Sequence, residues 1–292
     1  MEESRTMQTS FPARPRVELL VKWLMFTGAI LFMAIMSAFY PLEANVPLIV
    51  IPSVLVLIFA KPVFFEKMKL TTLVIMRLLI VFAAYRLFNP QIYVDVILLM
   101  LIINILEATF TDLLKHKKYF NAVSGFALAA GVIALKGAWA YGAPIGNYYL
   151  VTGPTLAVTL CYVFAYTLWN WIFVTDEFSA SVSFMHVGFL LAPILGSLAT
   201  LGLGAYGGFG MWLLLRANTL SIGGWMQIGA KGWFEKEYYS PKFEKFIAWT
   251  HKTLPQGVFM IINLALIATC IGIAASMGAI GYTPAPWAAP QA

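Results

Sequence analysis

The sequence predicts an all-α integral membrane protein, a polytopic helical transmembrane bundle, and three observations lead to this class. The 292 residues are 61% hydrophobic and only 11% charged, with a mean hydropathy of +0.81, and ordinary soluble domains are far less apolar. Several apolar runs reach the roughly 20 residues that cross about 30 Å of hydrocarbon. These runs are continuous rather than alternating, which disfavours a transmembrane β-barrel.

Hydropathy places about nine spans along the chain. The first run is longer than a signal-peptide core of roughly 7–15 residues, so we interpret it as a retained span. Pro47 and Pro52 predict that the second span is kinked or extends through Pro62 to Phe65. The predicted spans cover residues 19–40, 46–60, 70–88, 91–113, 120–141, 152–175, 180–200, 204–229 and 256–280.

Lysine and arginine residues are concentrated in alternate loops between the predicted spans. If the N terminus is cytoplasmic, fifteen of the nineteen fall on one side of the membrane. This bias predicts an N-in, C-out orientation with nine spans. Asp176 and Glu177 lie in a further loop on that side without a basic neighbour in sequence. The fifteen basic residues are Arg5, Arg14, Arg16, Lys22, Lys61, Lys67, Lys69, Lys115, Lys117, Lys118, Lys231, Lys236, Lys242, Lys245 and Lys252.

The longest loop covers residues 231–253 and contains a helix-start signature. Ser240 is a good N-cap, and Pro241 suits the first helical position. Phe243 and Phe246 share the apolar face of the helix that would follow. We therefore predict an amphipathic helix on the cytoplasmic interface. The Pro/Ala-rich tail, Thr283–Ala292, is predicted to be extended.

Polar side chains recur at a similar depth in spans four to eight. In span four, for example, Asn104, Glu107 and Thr111 share one helix face. A polar group in hydrocarbon costs free energy unless it is paired or faces water, so the cluster predicts a polar cavity in the cytoplasmic half of the bilayer. The candidate substrate-binding residues are Asn104, Glu107, Asn121, Asn170, His186, Arg216 and Asn218.

Charged members of this cluster suggest specific roles. Glu107 and Arg216 are candidates for an ion pair, since neither charge should face lipid. Glu107 and His186 are the candidates for proton coupling. For any single residue the alternative is structural, because amides and histidines in bundles also hydrogen-bond between helices. Arg86 and Lys136, near the outer ends of their spans, are interpreted as snorkelling side chains, and snorkelling is one option for Arg77, a weaker candidate for the cavity.

Span eight also suggests a break. A polar stretch from Arg216 ends at Gly223 and Gly224, and broken helices at membrane depth often line binding sites. The alternative interpretation is close packing of small residues against neighbouring helices.

Familiar catalytic and cofactor motifs are missing from the sequence, which has no P-loop, GxSxG or HExxH pattern. His116 and His251 fall in loops, so no metal site is predicted, and the cofactor is unknown. Cys161 and Cys270 lie inside spans and are interpreted as apolar fillers. The net charge of +6 reflects membrane orientation rather than a nucleic-acid partner.

Several segments resemble an uncharacterised family of bacterial multi-pass membrane proteins, a domain-of-unknown-function family. The similarity covers about residues 95–230 and implies no activity. It does imply the bacterial inner (cytoplasmic) membrane. The residues that carry it are Ile102–Ala108, Asp112, Asn121, Gly125, Tyr166–Asn170, His186, Ala192–Pro193 and Arg216–Leu220.

Three functions are compatible with these features. The first is transporter-like binding of a small polar solute, an ion or a lipid headgroup in the cavity. The second is a subunit or assembly factor of a larger membrane complex, with pigment or haem ligation by His186 as a sub-case. The third is an enzyme acting on a lipid or isoprenoid, with Glu107, Asp112 and His186 as acid–base groups. The expected partners are membrane lipids and, for the second function, other membrane subunits.

Overall fold

The described part of the chain is all-α apart from one very short strand pair. The computed structural model describes residues 14–60, 62–84, 90–135, 140–141, 151–152, 156–206 and 208–278. Within these ranges, β1 (Ala140–Tyr141) pairs antiparallel with β2 (Val151–Thr152), and every other regular element is helical, which confirms the all-α part of the prediction. Arg5, Lys61, Arg86, Lys136 and the tail from Thr283 lie outside the described residues.

Twelve α-helices are present in the described part of the chain, and two π-helical turns interrupt or extend them. The turns cover Val46–Val50 and Asp112–His116. The helices are α1 (Arg16–Phe39), α2 (Pro41–Asn45), α3 (Ile51–Phe59), α4 (Phe64–Ala84), α5 (Pro90–Thr111), α6 (Tyr119–Ala134), α7 (Leu156–Glu177), α8 (Ala180–Ala199), α9 (Trp212–Gly229), α10 (Lys231–Glu237), α11 (Pro241–Thr250) and α12 (Thr253–Ser276).

Six helical segments in the described ranges are long and apolar enough to cross a membrane. They support a multi-pass integral membrane protein. Three further helices, α4, α6 and α9, also lie on predicted spans, but they are shorter or more polar. The six segments are Arg16–Phe39, Pro41–Phe59, Asp95–His116, Leu156–Glu177, Ala180–Ala199 and Thr253–Ser276.

The second span begins at Pro41, five residues earlier than hydropathy predicted. It is one helical segment that contains three prolines, Pro41, Pro47 and Pro52. Pro41 occupies the first turn of α2, where its missing N–H removes no hydrogen bond. Pro47 lies in the π-helical turn at Val46–Val50. A proline inside a helix removes one backbone hydrogen bond, and a π-turn absorbs the resulting mismatch.

Helix α9 lies in the middle of the bundle, packed against α1, α3, α4, α5, α8 and α10. It is unbroken from Trp212 to Gly229, so the helix break considered at Gly223 and Gly224 is not formed. A side chain at Gly223 would press on the ring of Phe189, and one at Gly224 would come within 2.8 Å of Leu73. The two glycines therefore allow close helix packing, which was the alternative interpretation.

Ion pairs tie the N-terminal segment, α4 and α10 together at one end of the bundle. Glu237 on α10 binds Arg14 at 2.8 Å and also binds Lys22. The hydrogen bond from Lys22 holds the pKa of Glu237 below its usual value. Lys231, at the start of α10, lies 4.0 Å from Glu66 on α4.

A second set of ion pairs brings α5, α7 and the α11–α12 connection to the same region. Asp176 lies 3.2 Å from Lys118 and 3.0 Å from His251, and Lys115 binds Glu177 at 2.9 Å. The acidic pair that lacked basic neighbours in sequence thus acquires them through folding. Four predicted basic segments therefore meet at one end of the molecule, which we call the basic end.

The connection from α9 to α12 forms two helices, not one. In α11 the helix start at Ser240 and Pro241 is confirmed, since the Ser240 hydroxyl accepts a hydrogen bond from the Phe243 N–H at 3.4 Å. Tyr238, between the two helices, is buried, and this burial raises its pKa to about 12. The surface of α11 leaves Phe246 and Trp249 exposed, as an interfacial helix would.

Candidate functional site

A cavity lies between α4, α5 and α9, and we call it the first cavity. Helix α4 runs away from the basic end, whereas α5 and α9 run toward it. On α4 and α5 the polar lining groups are consequently closer to the basic end, and most of the apolar ones lie deeper. On α9, Leu220 lies closer to the basic end than Arg216. The lining residues are Lys69, Thr72, Leu73, Met76, Ile97, Met100, Leu101, Asn104, Glu107, Leu213, Arg216, Ala217 and Leu220.

A second cavity lies between α4, α7, α8 and α9. Lys69 and Leu220 line both cavities, so the two spaces adjoin at these side chains. The second cavity contains Asn170, His186 and Gln227. Five of the predicted site residues therefore line one cavity or the other: Asn104, Glu107, Asn170, His186 and Arg216.

Arg216 is 2% exposed and is held by neutral groups. Its Nη2 donates to Asn170 Oδ1 at 3.2 Å, and its Nη1 donates to Thr219 Oγ1 at 3.2 Å. The guanidinium also lies 5.3 Å from the centre of the Tyr166 ring, a favourable cation–π distance. The ion pair predicted between Arg216 and Glu107 is not formed in the described part of the chain, although both side chains line the first cavity.

His186 makes hydrogen bonds through both ring nitrogens. Its Nε2 lies 3.2 Å from Asn170 Oδ1, and its Nδ1 lies next to the amide nitrogen of Gln227. These partners match a neutral imidazole in which Nε2–H donates and Nδ1 accepts. Because neither nitrogen is left for a metal, this geometry does not support the haem or pigment ligation considered for His186.

The hydrogen bonds of Arg216, Asn170, His186 and Gln227 form a chain that leaves α9, crosses α7 and α8, and returns to α9. Each link joins two side chains with little exposure. The chain fixes the rotation of three helices around the second cavity. It therefore has a structural consequence in addition to any contact with a ligand.

Arg77 is fully buried, so its side chain does not snorkel to the interface. Its guanidinium donates to the side-chain oxygens of Asn45 (3.1 Å) and Asn218. It also donates to the Ala217 carbonyl at 2.6 Å and the Ser221 hydroxyl at 3.0 Å. The arginine thereby connects α2, α4 and α9.

Two predicted site residues lie outside the linings of both cavities. Asn218 accepts from Arg77 and donates to the Ala34 carbonyl at 2.8 Å. Asn121 donates to Asp112 Oδ2 at 2.6 Å and to the Trp169 carbonyl at 3.3 Å. Both side chains hydrogen-bond between helices, which is the structural role considered above as the alternative to ligand binding.

Asp112 is also bound away from the cavities. The Nδ1 of His116 lies 3.2 Å from Asp112 Oδ1, and the other nitrogen of His116 lies 3.0 Å from Glu177. No group of three or more potential metal ligands forms in the part of the chain that the structure describes. Asp112 thus belongs to the ionic network at the basic end.

Lys69 and Gln227 line the cavities but are not among the site residues predicted from the sequence. Lys69 was counted only as a basic loop residue, yet it lies on the same face of α4 as Thr72 and Met76. Gln227 follows Arg216 by eleven positions, which is three helical turns and hence the same face of α9. That spacing was visible in the sequence and could have identified Gln227.

Comparisons of the chain with protein-family models, curated proteins and solved structures found no match. Function is therefore inferred from the geometry of the two cavities.

Proposed function

We propose that this multi-pass membrane protein binds a small polar solute, an ion or a lipid headgroup in the first cavity, in the manner of a transporter. The observation that supports this most strongly is the joint presence of Asn104, Glu107 and Arg216 on one cavity at membrane depth. Polar groups at that depth mark ligand pathways by default.

The same proposal places nine spans in the membrane, with the basic end in the cytoplasm. Four basic segments meet at this end, through contacts such as Lys118 to Asp176 and Arg14 to Glu237. Basic residues favour the cytoplasmic side of a membrane. The polar part of the first cavity would then lie in the cytoplasmic half of the bilayer, which in a bacterium means the inner membrane.

An acid–base enzyme is less well supported by the geometry. His186 contacts two amides and, within the described residues, no carboxylate. Glu107 lines the first cavity only, and Asp112 is bound by His116 and Asn121. General acid–base chemistry requires two titratable groups within hydrogen-bond reach of one reacting point.

The test is to fill the first cavity with a larger side chain and to determine which co-purified small molecules the variant loses. Leu101 lines the cavity and is 6% exposed, whereas Leu99 on the same helix is 52% exposed. Both variants, Leu101→Trp and Leu99→Trp, would be purified in lipid nanodiscs. Small molecules retained by each would then be extracted and identified by mass spectrometry.

We expect the parent protein and Leu99→Trp to retain a common molecule that Leu101→Trp loses. Identical molecules in all three preparations would contradict binding in the first cavity. Circular dichroism on each variant checks that the bundle remains folded.

A further inference from the structure

We propose that the occupant of the first cavity is an amphiphile with an anionic headgroup, a phosphate or a carboxylate, bound by Lys69 and Arg216. This inference rests on the proposed function, since it names the class of ligand that the same cavity takes. The charge, the free hydrogen-bond donors and the apolar part of the lining each support it.

The charge argument starts from the lining of the cavity. Lys69 and Arg216 are its cations, and Glu107 is its one carboxylate among the residues that line it. With one carboxylate and two cations, the lining keeps one positive charge. A charge at membrane depth is costly unless a counter-ion compensates it, and an anionic headgroup would supply that compensation.

Neither cation is paired with a carboxylate within the described residues. Arg216 bonds only to the neutral oxygens of Asn170 and Thr219. The Nζ of Lys69 lies 5.3 Å from the centre of the Phe173 ring, and it forms neither an ion pair nor a hydrogen bond in this part of the chain. Both cations are therefore available to a ligand.

Arg216 also has spare hydrogen-bond donors. A guanidinium carries five N–H groups, and two of them are used by Asn170 and Thr219. Its Nε is buried and has no partner. Arginine binds phosphate and carboxylate oxygens through such parallel donors, so an anion would satisfy a group that is otherwise left unpaired in the interior.

The composition of the lining indicates a tail as well as a headgroup. Beyond Asn104 and Arg216, the lining away from the basic end consists of Met76, Ile97 and Met100, together with neighbouring leucines. A soluble anion would contact only the polar part of this lining. An amphiphile would contact the polar part with its headgroup and the apolar side chains with its hydrocarbon chain.

The experiment measures equilibrium binding of four probes to the purified full chain in phosphatidylcholine nanodiscs, with binding to empty nanodiscs subtracted. The probes are decyl phosphate, inorganic phosphate, decyltrimethylammonium and decyl maltoside. We expect saturable binding of decyl phosphate, at one molecule per chain. The cationic and neutral amphiphiles should not saturate, and inorganic phosphate should bind about tenfold more weakly or worse, because it lacks the buried chain.

Variants then assign the binding to the two cations. Lys69→Gln should weaken decyl phosphate binding about tenfold or more, since a charge-assisted contact is lost. Lys67→Gln is the matched control, because Lys67 is exposed on the same helix and lines neither cavity. Arg216→Gln should have an effect at least as large, and Lys69→Gln decides the question if that variant does not fold.

The possible failures of the two proposals are distinguishable. Saturable binding of decyltrimethylammonium or decyl maltoside, abolished by Leu101→Trp, would overturn the anionic headgroup and leave the proposed cavity function standing. Inorganic phosphate binding as tightly as decyl phosphate would overturn the amphiphile and identify a soluble anion. Equal binding by Lys69→Gln and Lys67→Gln would overturn the assignment to Lys69. If no probe saturates and Leu101→Trp retains the same molecules as the parent, the proposed function itself fails.

Discussion

Arg77 has the most extensive set of side-chain hydrogen bonds described in this protein, and all of its described acceptors are neutral. Asn45 is in turn oriented by its own donation to the Pro41 carbonyl at 2.7 Å, and Asn218 by donation to the Ala34 carbonyl. A guanidinium held in this way fixes the spacing of several helices beside the first cavity. Its role is therefore to position the cavity wall.

Replacing Arg77 should destabilise the fold more than replacing a surface cation. In Arg77→Met the oxygens of Asn45 and Asn218 lose a buried donor, and each orphaned acceptor costs about 1–3 kcal/mol. We expect a clear fall in the thermal unfolding midpoint in detergent. Lys67→Met, on the exposed side of the same helix, serves as the control and should change the midpoint little. Equal midpoints for the two variants would contradict the structural role of Arg77.

For single residues, the sequence predicted how deep each polar side chain lies in the bundle, but not which neighbouring helix it faces. Hydropathy and helix rise showed that Asn121, Asn170 and His186 lie toward one end of the bundle. They do not show how each helix is rotated, and rotation decides the partner. Asn170 consequently meets Arg216 and His186, whereas Asn121 meets Asp112.

Helix α6 packs closely against α5 and α7 at Gly125. Among the described glycines, this is the position where an added Cβ would come nearest to a neighbouring side chain. Gly125 on α6 faces the Thr109 side chain, and a Cβ there would lie 2.7 Å from Trp169 Nε1. Thr109 cannot easily move, because its hydroxyl donates to the Ile105 carbonyl at 2.7 Å and its side chain is fully buried.

Adding a side chain at this contact should separate the helices. We expect Gly125→Ala to destabilise the protein by about 1–3 kcal/mol, the usual cost of overpacking a core. The measurement is the free energy of unfolding in a denaturing-detergent titration. Gly28→Ala provides the comparison, since nothing lies within 4 Å of that position and alanine favours helix more than glycine. A stable Gly125→Ala variant would show that the helices do not pack this closely.

Some helix boundaries could be predicted from the local sequence, and others could not. The N-cap at Ser240 was predictable, because a cap and a following proline act locally. The early start of the second span at Pro41 was not, since a polar segment containing Glu43 and Asn45 lowers the local hydropathy. Asn45 is fully buried there only because Arg77 and two carbonyls bind it, and such distant partners leave no local signal.

For the whole molecule, the class and the gathering of basic segments at one end were predictable from composition and loop charge. The two cavities were not, because they depend on gaps between α4, α5, α7, α8 and α9 that only packing creates. We propose, as the central claim about this protein, that a polar cavity at membrane depth opens toward the basic end and that this end is cytoplasmic. Orientation and cavity can be tested together at Asn104.

The most direct measurement is the reaction of Asn104→Cys with a membrane-impermeant thiol reagent, in a chain that also carries Cys161→Ala and Cys270→Ala. Ile103→Cys is the matched control, since Ile103 is 39% exposed on the outer surface of the bundle and lines neither cavity. Each variant would be labelled in inside-out and in right-side-out vesicles. We predict that Asn104→Cys reacts in inside-out vesicles only and that Ile103→Cys reacts in neither. Reaction of Asn104→Cys only in right-side-out vesicles, or no faster than Ile103→Cys in both, would contradict the claim.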